Sequence, residues 1–385
     1  MKILHLISST NPQGGGPIEG VKQLYVPLRG LGVTVEIACC DVPGASWHSV
    51  DGMPINYALG SAQLIYAYTP RLLSWLRQNA SRFDAVIANG VGQFTGLAVR
   101  QALAGSKVPY SVFTHGMLNL WFKQTNPLKH LKKRLYWSWG EYRVLRDARA
   151  VIFTCEDQRL LARQSFWLYR VNEAVTSYGT ASPLADGVEL AQSFLASHPH
   201  LQGKRIVLFL CRIQEKKGCD LSVSAFAQVA AQDANLHLVM AGSDQTGWVA
   251  ELKAQAEKLG IAHRISWPGM LQGNANWGAF YATEVFCLPS HQENFGILVA
   301  EALACSKPLL ISNKVNIWRE IESDAAGFVA EDTVTGTVQN LQRWLALDAP
   351  AYGQMSERSR QCFLRRFHIQ RAAERLVEII RERSR

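Results

Sequence analysis

Short apolar runs rich in β-branched and aromatic residues recur along the chain, each followed by a turn or a stretch of helical spacing, and few folds accommodate that alternation. Continuous apolar runs are what strands buried on both faces require. The pattern therefore predicts an α/β protein whose parallel sheets carry helices on both sides. In the first half the runs are KILHLIS (2–8), VTVEIACC (33–40), AVIAN (85–89), YSVFTH (110–115) and AVIFTC (150–155). In the second they are RIVLFLCRI (205–213), LHLVMAGS (236–243), RISWPG (264–269), VFCLPS (285–290), PLLIS (308–312) and GFVA (327–330). Between the two series, residues 177–204 hold Gly, Pro, Ser and one amphipathic helical piece but no strand-like run. The expected domains are thus an N-terminal one over 1–180 and a C-terminal one over 181–366. Ala372, Leu376, Ile379 and Ile380 recur at helical spacing, so a terminal helix over 367–385 is expected to dock, with the first domain a candidate surface. Two doubly wound domains bring two carboxyl-end crevices face to face, and the ligand site is expected in the cleft between them.

A chain of 385 residues with 48% hydrophobic and 18% charged residues is long enough for two full cores and is not a disordered composition. The net charge of +9 suits an anionic partner: phosphate, nucleic acid or acidic lipid. The eight cysteines are scattered, form no Cys-x-x-Cys and fall largely in apolar runs, as small buried residues of a reducing compartment do. Met1-Lys2 leads into ILHLIS and then polar SSTNPQGGG, without the apolar core and cleavage site of a secretion signal. No run of about 18 apolar residues occurs. The expectation is a cytoplasmic protein, peripheral to the inner face of the plasma membrane if it meets lipid.

Two stretches carry the chemistry. In HQENFGILVAE (291–301) a strand-like run ends in a polar loop, and ILVAEALAC then reads as a helix beginning at Gly296. The exposed N–H groups of a helix start favour an anion such as phosphate. Glu293 stands in the loop beside that position and Glu301 lies one to two turns inside the helix. Carboxylates there are poor phosphate ligands but good acceptors for sugar hydroxyls, so the pair fits a ligand that has both groups. The bland alternative makes Glu293 a helix cap and Glu301 a surface charge. In CRIQEKKGCD (211–220), Arg212 ends a strand and Lys217 follows in the loop before the next helix. Two cations at a strand's carboxyl end can neutralise a diphosphate as a bond to it breaks.

Taken together, in this order and separation, the stretches resemble the retaining GT-B glycosyltransferases of family 4, whose signatures are Gly-Arg-x4-Lys-Gly and Glu-x7-Glu. Arg212, Lys217, Gly218, Pro289, Ser290, Glu293, Phe295, Gly296, Glu301, Ala302 and Pro308 fall in register with that pattern. In the first half the resemblance rests on Gly14-Gly15-Gly16 and on Thr114-His115-Gly116-Met117. It implies a GT-B fold, a nucleotide-sugar donor (UDP or GDP) and retention of anomeric configuration. Arg212 and Lys217 would hold the donor diphosphate, Glu293 a hydroxyl of the donor hexose and Glu301 the ribose. Backbone N–H groups near Asn294, Phe295 and Gly296 would join them. His115 looks like the family histidine that approaches the transferred sugar, and Gly15 and Gly16 like the loop near the β-phosphate; a satisfied strand-end histidine and a plain turn are their structural alternatives. The chain departs from the pattern at Cys211, at Ser306, at SYGTASP (177–183) and at NKVNIWRE (313–320), where the family has a glycine pair that borders the donor hexose or the acceptor.

No Asp-x-Asp occurs anywhere in the chain, so the expected reaction needs no metal and no cofactor beyond the donor itself. Between Trp121 and Arg146, seven Lys or Arg are mixed with six aromatic residues, a composition suited to an anionic membrane surface or to a solvated helix with its aromatics turned inward. Contact with lipid would make a polyprenyl-diphosphate-linked saccharide a natural acceptor, as in surface polysaccharide assembly. Rival readings are a nucleotide-sugar 2-epimerase, an inverting GT-B transferase, a solute-binding protein and a polyanion binder. For nucleic acid there is charge but no zinc spacing or RNP-like motif, so no nucleic-acid partner is expected.

Overall fold

The computed structural model describes residues 1–12, 16–48, 54–60, 66–118, 136–183 and 185–382. The chain divides into two compact units, Met1–Tyr178 with the segment from Ile369 onward, and Gly179–His368.

The first unit is built on seven parallel strands, β1 (Lys2–Ile7), β2 (Thr34–Cys39), β3 (Ile55–Ala58), β4 (Ala85–Asn89), β5 (Tyr110–Phe113), β6 (Val151–Phe153) and β7 (Glu173–Val175). Their order is β3-β2-β1-β4-β5-β6-β7. The five predicted strands are the apolar interior ones. The two that sequence reasoning missed, β3 and β7, are the sheet's edges, and their residues are at most half-buried. An edge strand is held by backbone pairing on one side and needs no continuous apolar run, so INYA and EAV carry little signal.

Six parallel strands form the second unit, β8 (Arg205–Leu210), β9 (Leu236–Ala241), β10 (Ile265–Gly269), β11 (Val285–Leu288), β12 (Leu309–Ser312) and β13 (Gly327–Ala330), in the order β10-β9-β8-β11-β12-β13. All six were predicted. In each unit the chain starts in the middle of the sheet, winds to one edge, then returns to fill the other. The winding direction therefore reverses between β1 and β4 and between β8 and β11, and ligands of open α/β sheets sit at the carboxyl end of such a reversal. Phe286 pairs with Leu208, so β8 and β11 end level at Leu210 and Leu288.

Helix Ile369–Arg381 buries Ala372, Ala373, Leu376 and Ile380 and packs against helix Gly16–Gly30 in the first unit. Of the basic aromatic stretch, residues 121–135 lie outside the described residues. From Trp137 a wide π-turn, Trp137–Glu141, leads into helix Tyr142–Asp147. Its aromatics divide: Trp137 is buried and stacked on Phe166 at 3.7 Å, Tyr142 is buried, and Trp139 is 63% exposed. Among the described residues no helix is long and apolar enough to cross a membrane.

Candidate active site

In the second unit the loops that leave β8, β11 and β12 are stitched together by their backbones. Arg212 leaves β8 exposed, and a short turn over Glu215–Lys217 then delivers Gly218, which caps helix Cys219–Val229 at φ +67°. A Cβ at Gly218 would stand 2.3 Å from Pro289 O, so only glycine lets the two loops touch. His291 N donates to Lys216 O at 3.0 Å, Glu293 N to Lys314 O at 2.9 Å and Asn316 N to Glu293 O at 3.1 Å. These bonds place the Lys217 ammonium against the Glu293 carboxylate as a direct ion pair. Gly296, at φ +73°, caps helix Ile297–Ala304. Two helix N-termini thus open beside one cation cluster.

The electrostatics follow from burial. Lys217 is only 5% exposed. Desolvation alone would pull its pKa down, but Glu293 and Cys211 beside it leave it raised, so it stays a cation. Lys216 is lowered, by burial first and then by the neighbouring Lys217 and Arg212 charges. Glu301, in the second turn of its helix, accepts from Asn276 Nδ2 at 3.3 Å. Phe295 is buried with its ring edge-on to Phe367, centroids 5.7 Å apart. From the other side of β8, Ile213 N donates to Ser243 O at 2.9 Å and Gly242 N to Gly269 O at 2.8 Å.

Of the residues singled out from sequence, Lys217 and Glu293 are in contact. Arg212 is close enough to repel the Lys217 charge, and Asn294 binds back through its N–H to Glu293 Oε1 at 3.0 Å. Glu301 stands apart from this pair with its own partner. His115 and Gly16 belong to the first unit, and Gly15 lies outside the described residues. Gly16 begins its helix exposed, with open space where a Cβ would be. Sequence reasoning missed Lys216 and Lys314 of the adjoining loops and Asn276 in the first turn of helix Asn274–Ala282, polar residues whose relevance shows only once the elements are brought together.

His115 follows β5 at φ +48°, an unusual conformation for a residue with a side chain. Its Nε2 lies 3.0 Å from Asn89 Oδ1 and its Nδ1 contacts the Tyr178 hydroxyl. Burial, with His5 nearby, pulls its pKa to about 3, so the ring is neutral at physiological pH. Among the described residues, one group has the make-up to hold a metal: Cys39, Asp41 and His48, their ligand atoms within 4.8 Å of one another. Asp41 Oδ2 is already taken by Thr10 N at 2.7 Å and Thr10 Oγ1 at 2.8 Å, and burial pushes the Cys39 thiol to about 12. That group is a hydrogen-bonded staple between the ends of β1 and β2.

Twin parallel sheets with cations and helix starts at one carboxyl-end reversal define a GT-B architecture. Solved structures agree over nearly the whole chain. Sucrose-phosphate synthase from Thermosynechococcus elongatus matches 99% of this chain and 98% of its own at a TM-score of 0.77 and 18% identity. Anabaena HepE in complex with UDP and glucose matches 98% of both chains at 0.73 and 17%. Residues 15–179 match the model of the glycosyl transferase 4-like domain and residues 192–362 that of glycosyl transferases group 1. The chain belongs to the group 1 glycosyltransferases, family 4. Among curated relatives, D-inositol 3-phosphate glycosyltransferase of Segniliparus rotundus is 30% identical over 33% of this chain and 29% of its own. Alpha-D-kanosaminyltransferase of Streptomyces kanamyceticus is 22% identical over 63% of each. The matched stretches thus span less than two thirds of these relatives' length.

Proposed function

We propose that the protein transfers a hexose from a nucleotide-diphosphate sugar to a saccharide or lipid-linked saccharide acceptor, with retention and without a metal. The observation that carries this reading is the buried Lys217–Glu293 pair with Arg212 beside it, at the level ends of β8 and β11. In the absence of substrate the two charges satisfy each other. A donor diphosphate competes for Lys217, and the Glu293 carboxylate it releases becomes free to accept hydroxyls of the hexose. As the bond from the anomeric carbon to the phosphate oxygen breaks, charge gathers on the diphosphate. Arg212, Lys217 and the helix start at Gly296 are pre-set to stabilise it. The acceptor oxygen bonds to the anomeric carbon on the face the diphosphate leaves, and its proton passes to a departing phosphate oxygen. Asn294, Phe295 and Gly296 line the donor, Glu301 takes the ribose, and the loops at Ser243 and 268–270 meet the base through backbone groups. Residues 1–180 are the acceptor side, with His115 as the histidine that approaches the transferred sugar and Gly15 and Gly16 as the loop near the β-phosphate, and 181–366 are the donor side.

HepE was captured with UDP and glucose, which supports UDP as the nucleotide. The +9 charge and the aromatics of 121–146 support an acceptor presented at an acidic membrane face, as surface polysaccharide assembly requires. The test is thermal-shift titration with UDP, GDP, ADP and dTDP, followed by anomer analysis of the product in EDTA. One nucleotide at a hundred times its Kd should stabilise the protein by about 2.7 kcal/mol. A product of inverted configuration, a nucleotide-sugar altered without any acceptor, or no nucleotide bound at all would each refute the proposal.

A further inference from the structure

A chain of hydrogen bonds through His5, Asn89, His115 and Tyr178 fixes where the proton sits on His115. Asn89 Nδ2 lies 3.0 Å from Leu6 O, 3.2 Å from Ile87 O and 3.2 Å from His5 Nδ1. Carbonyl oxygens only accept, so this atom is the amide nitrogen and the atom facing His115 is the amide oxygen. That oxygen, 3.0 Å from His115 Nε2, also only accepts, which puts the imidazole proton on Nε2. A neutral ring then has its lone pair at Nδ1, and the Tyr178 hydroxyl in contact there must donate. Stacking completes the clamp: the His115 ring lies on Phe113, centroids 4.5 Å apart and 9° from parallel, and beside Tyr178 at 5.5 Å and 22°. Room for the tyrosine ring comes from Gly20, where a Cβ would stand 2.3 Å from Tyr178 Cε1.

We propose that Tyr178, together with Asn89, is a positioning residue for sugar transfer. It holds His115 as a neutral, Nε2-protonated imidazole in one orientation, so that His115 shapes the site and exchanges no proton with substrate. The proposal rests on the reading of His115 given above. It agrees with a mechanism in which the acceptor proton goes to the leaving phosphate. Tyr178 is also the last residue before the chain crosses to the second unit, so the clamp is anchored at that crossing.

Imidazole 15N correlation spectra of the full-length protein from pH 8 to 5 test the clamp without any variant. His115 should show the Nε2–H form throughout and should not titrate. In Tyr178→Phe the Nδ1 resonance should move to that of an unbonded nitrogen. Turnover should fall about tenfold or more through lost positioning, with the nucleotide Kd changed little because the side chains read as its ligands, Arg212, Lys217 and Glu301, lie in the second unit. An Nδ1–H tautomer or a normal titration of His115 in the wild-type protein overturns the proposal, as does wild-type turnover in Tyr178→Phe. A wild-type protein that binds no nucleotide refutes the functional reading and with it any role in transfer, whatever the tautomer measurement shows.

Discussion

Lys217 is the residue on which most of the proposed chemistry converges: it is buried and paired with Glu293, and in the proposal it is also the cation that meets the donor diphosphate. Replacing it with alanine should lower turnover by roughly 10²–10³-fold, the effect of losing one pre-set donor to a developing oxyanion, while the donor KM changes little. Steady-state kinetics of Lys217→Ala decide this, and near-normal turnover would remove Lys217 from the mechanism. Arg212, Lys217 and Glu293 could be singled out in the sequence because they stand at predicted strand ends and the two stretches together, in their order and separation, resemble the family signatures. Asn89 and Tyr178 were not. Each is 26 or more positions from His115 in the chain, and nothing local marks an asparagine or a tyrosine as the keeper of a histidine tautomer.

At the scale of elements, periodicity found every strand with two buried faces and lost both edges of the first sheet, where half-buried INYA and EAV resemble loop sequence. The basic aromatic stretch shows a related limit. Composition left open whether its rings turn inward or outward, and in the described part Trp137 and Tyr142 turn in while Trp139 turns out. The loop that supplies Phe166 to Trp137 also carries Trp167, which is 69% exposed. Exposed indoles beside basic residues suit the headgroup region of an acidic bilayer. The protein should therefore sediment with vesicles rich in acidic lipid at low salt, and the double variant Trp139→Ala, Trp167→Ala should weaken that binding. Vesicles that leave the wild-type protein in the supernatant would show that this face meets something other than lipid.

For the molecule as a whole, the alternation of runs was enough to read two parallel sheets, since no other class repeats that pattern eleven times. The apolar stripe of the terminal helix made the first domain a candidate surface, but it did not say that helix Gly16–Gly30 is the element it meets. A whole-molecule property follows from the buried histidines. Burial lowers His5 in the first unit to about 4 and His237 in the second to about 4, the latter also facing His200, Lys204, Arg264 and His263. Unfolded, each would titrate near its ordinary value of about 6.5. Between that value and the folded one the unfolded chain binds more protons, so stability is present at neutral pH and is lost as pH falls. The loss is about 1.4 kcal/mol per pH unit for each histidine while the two values bracket the pH. Urea midpoints should fall between pH 7 and pH 5, and less steeply in His237→Gln; midpoints that do not move would show that these imidazoles are already protonated in the native protein.

The first unit is completed by residues that follow the whole of the second in the chain. Helix Ile369–Arg381 covers helix Gly16–Gly30, yet all six strands of the second unit lie between them in the chain. On the ribosome, the N-terminal sheet therefore waits with one apolar wall uncovered until the whole C-terminal sheet has been synthesised, and the later-made half is the first with all its parts in hand.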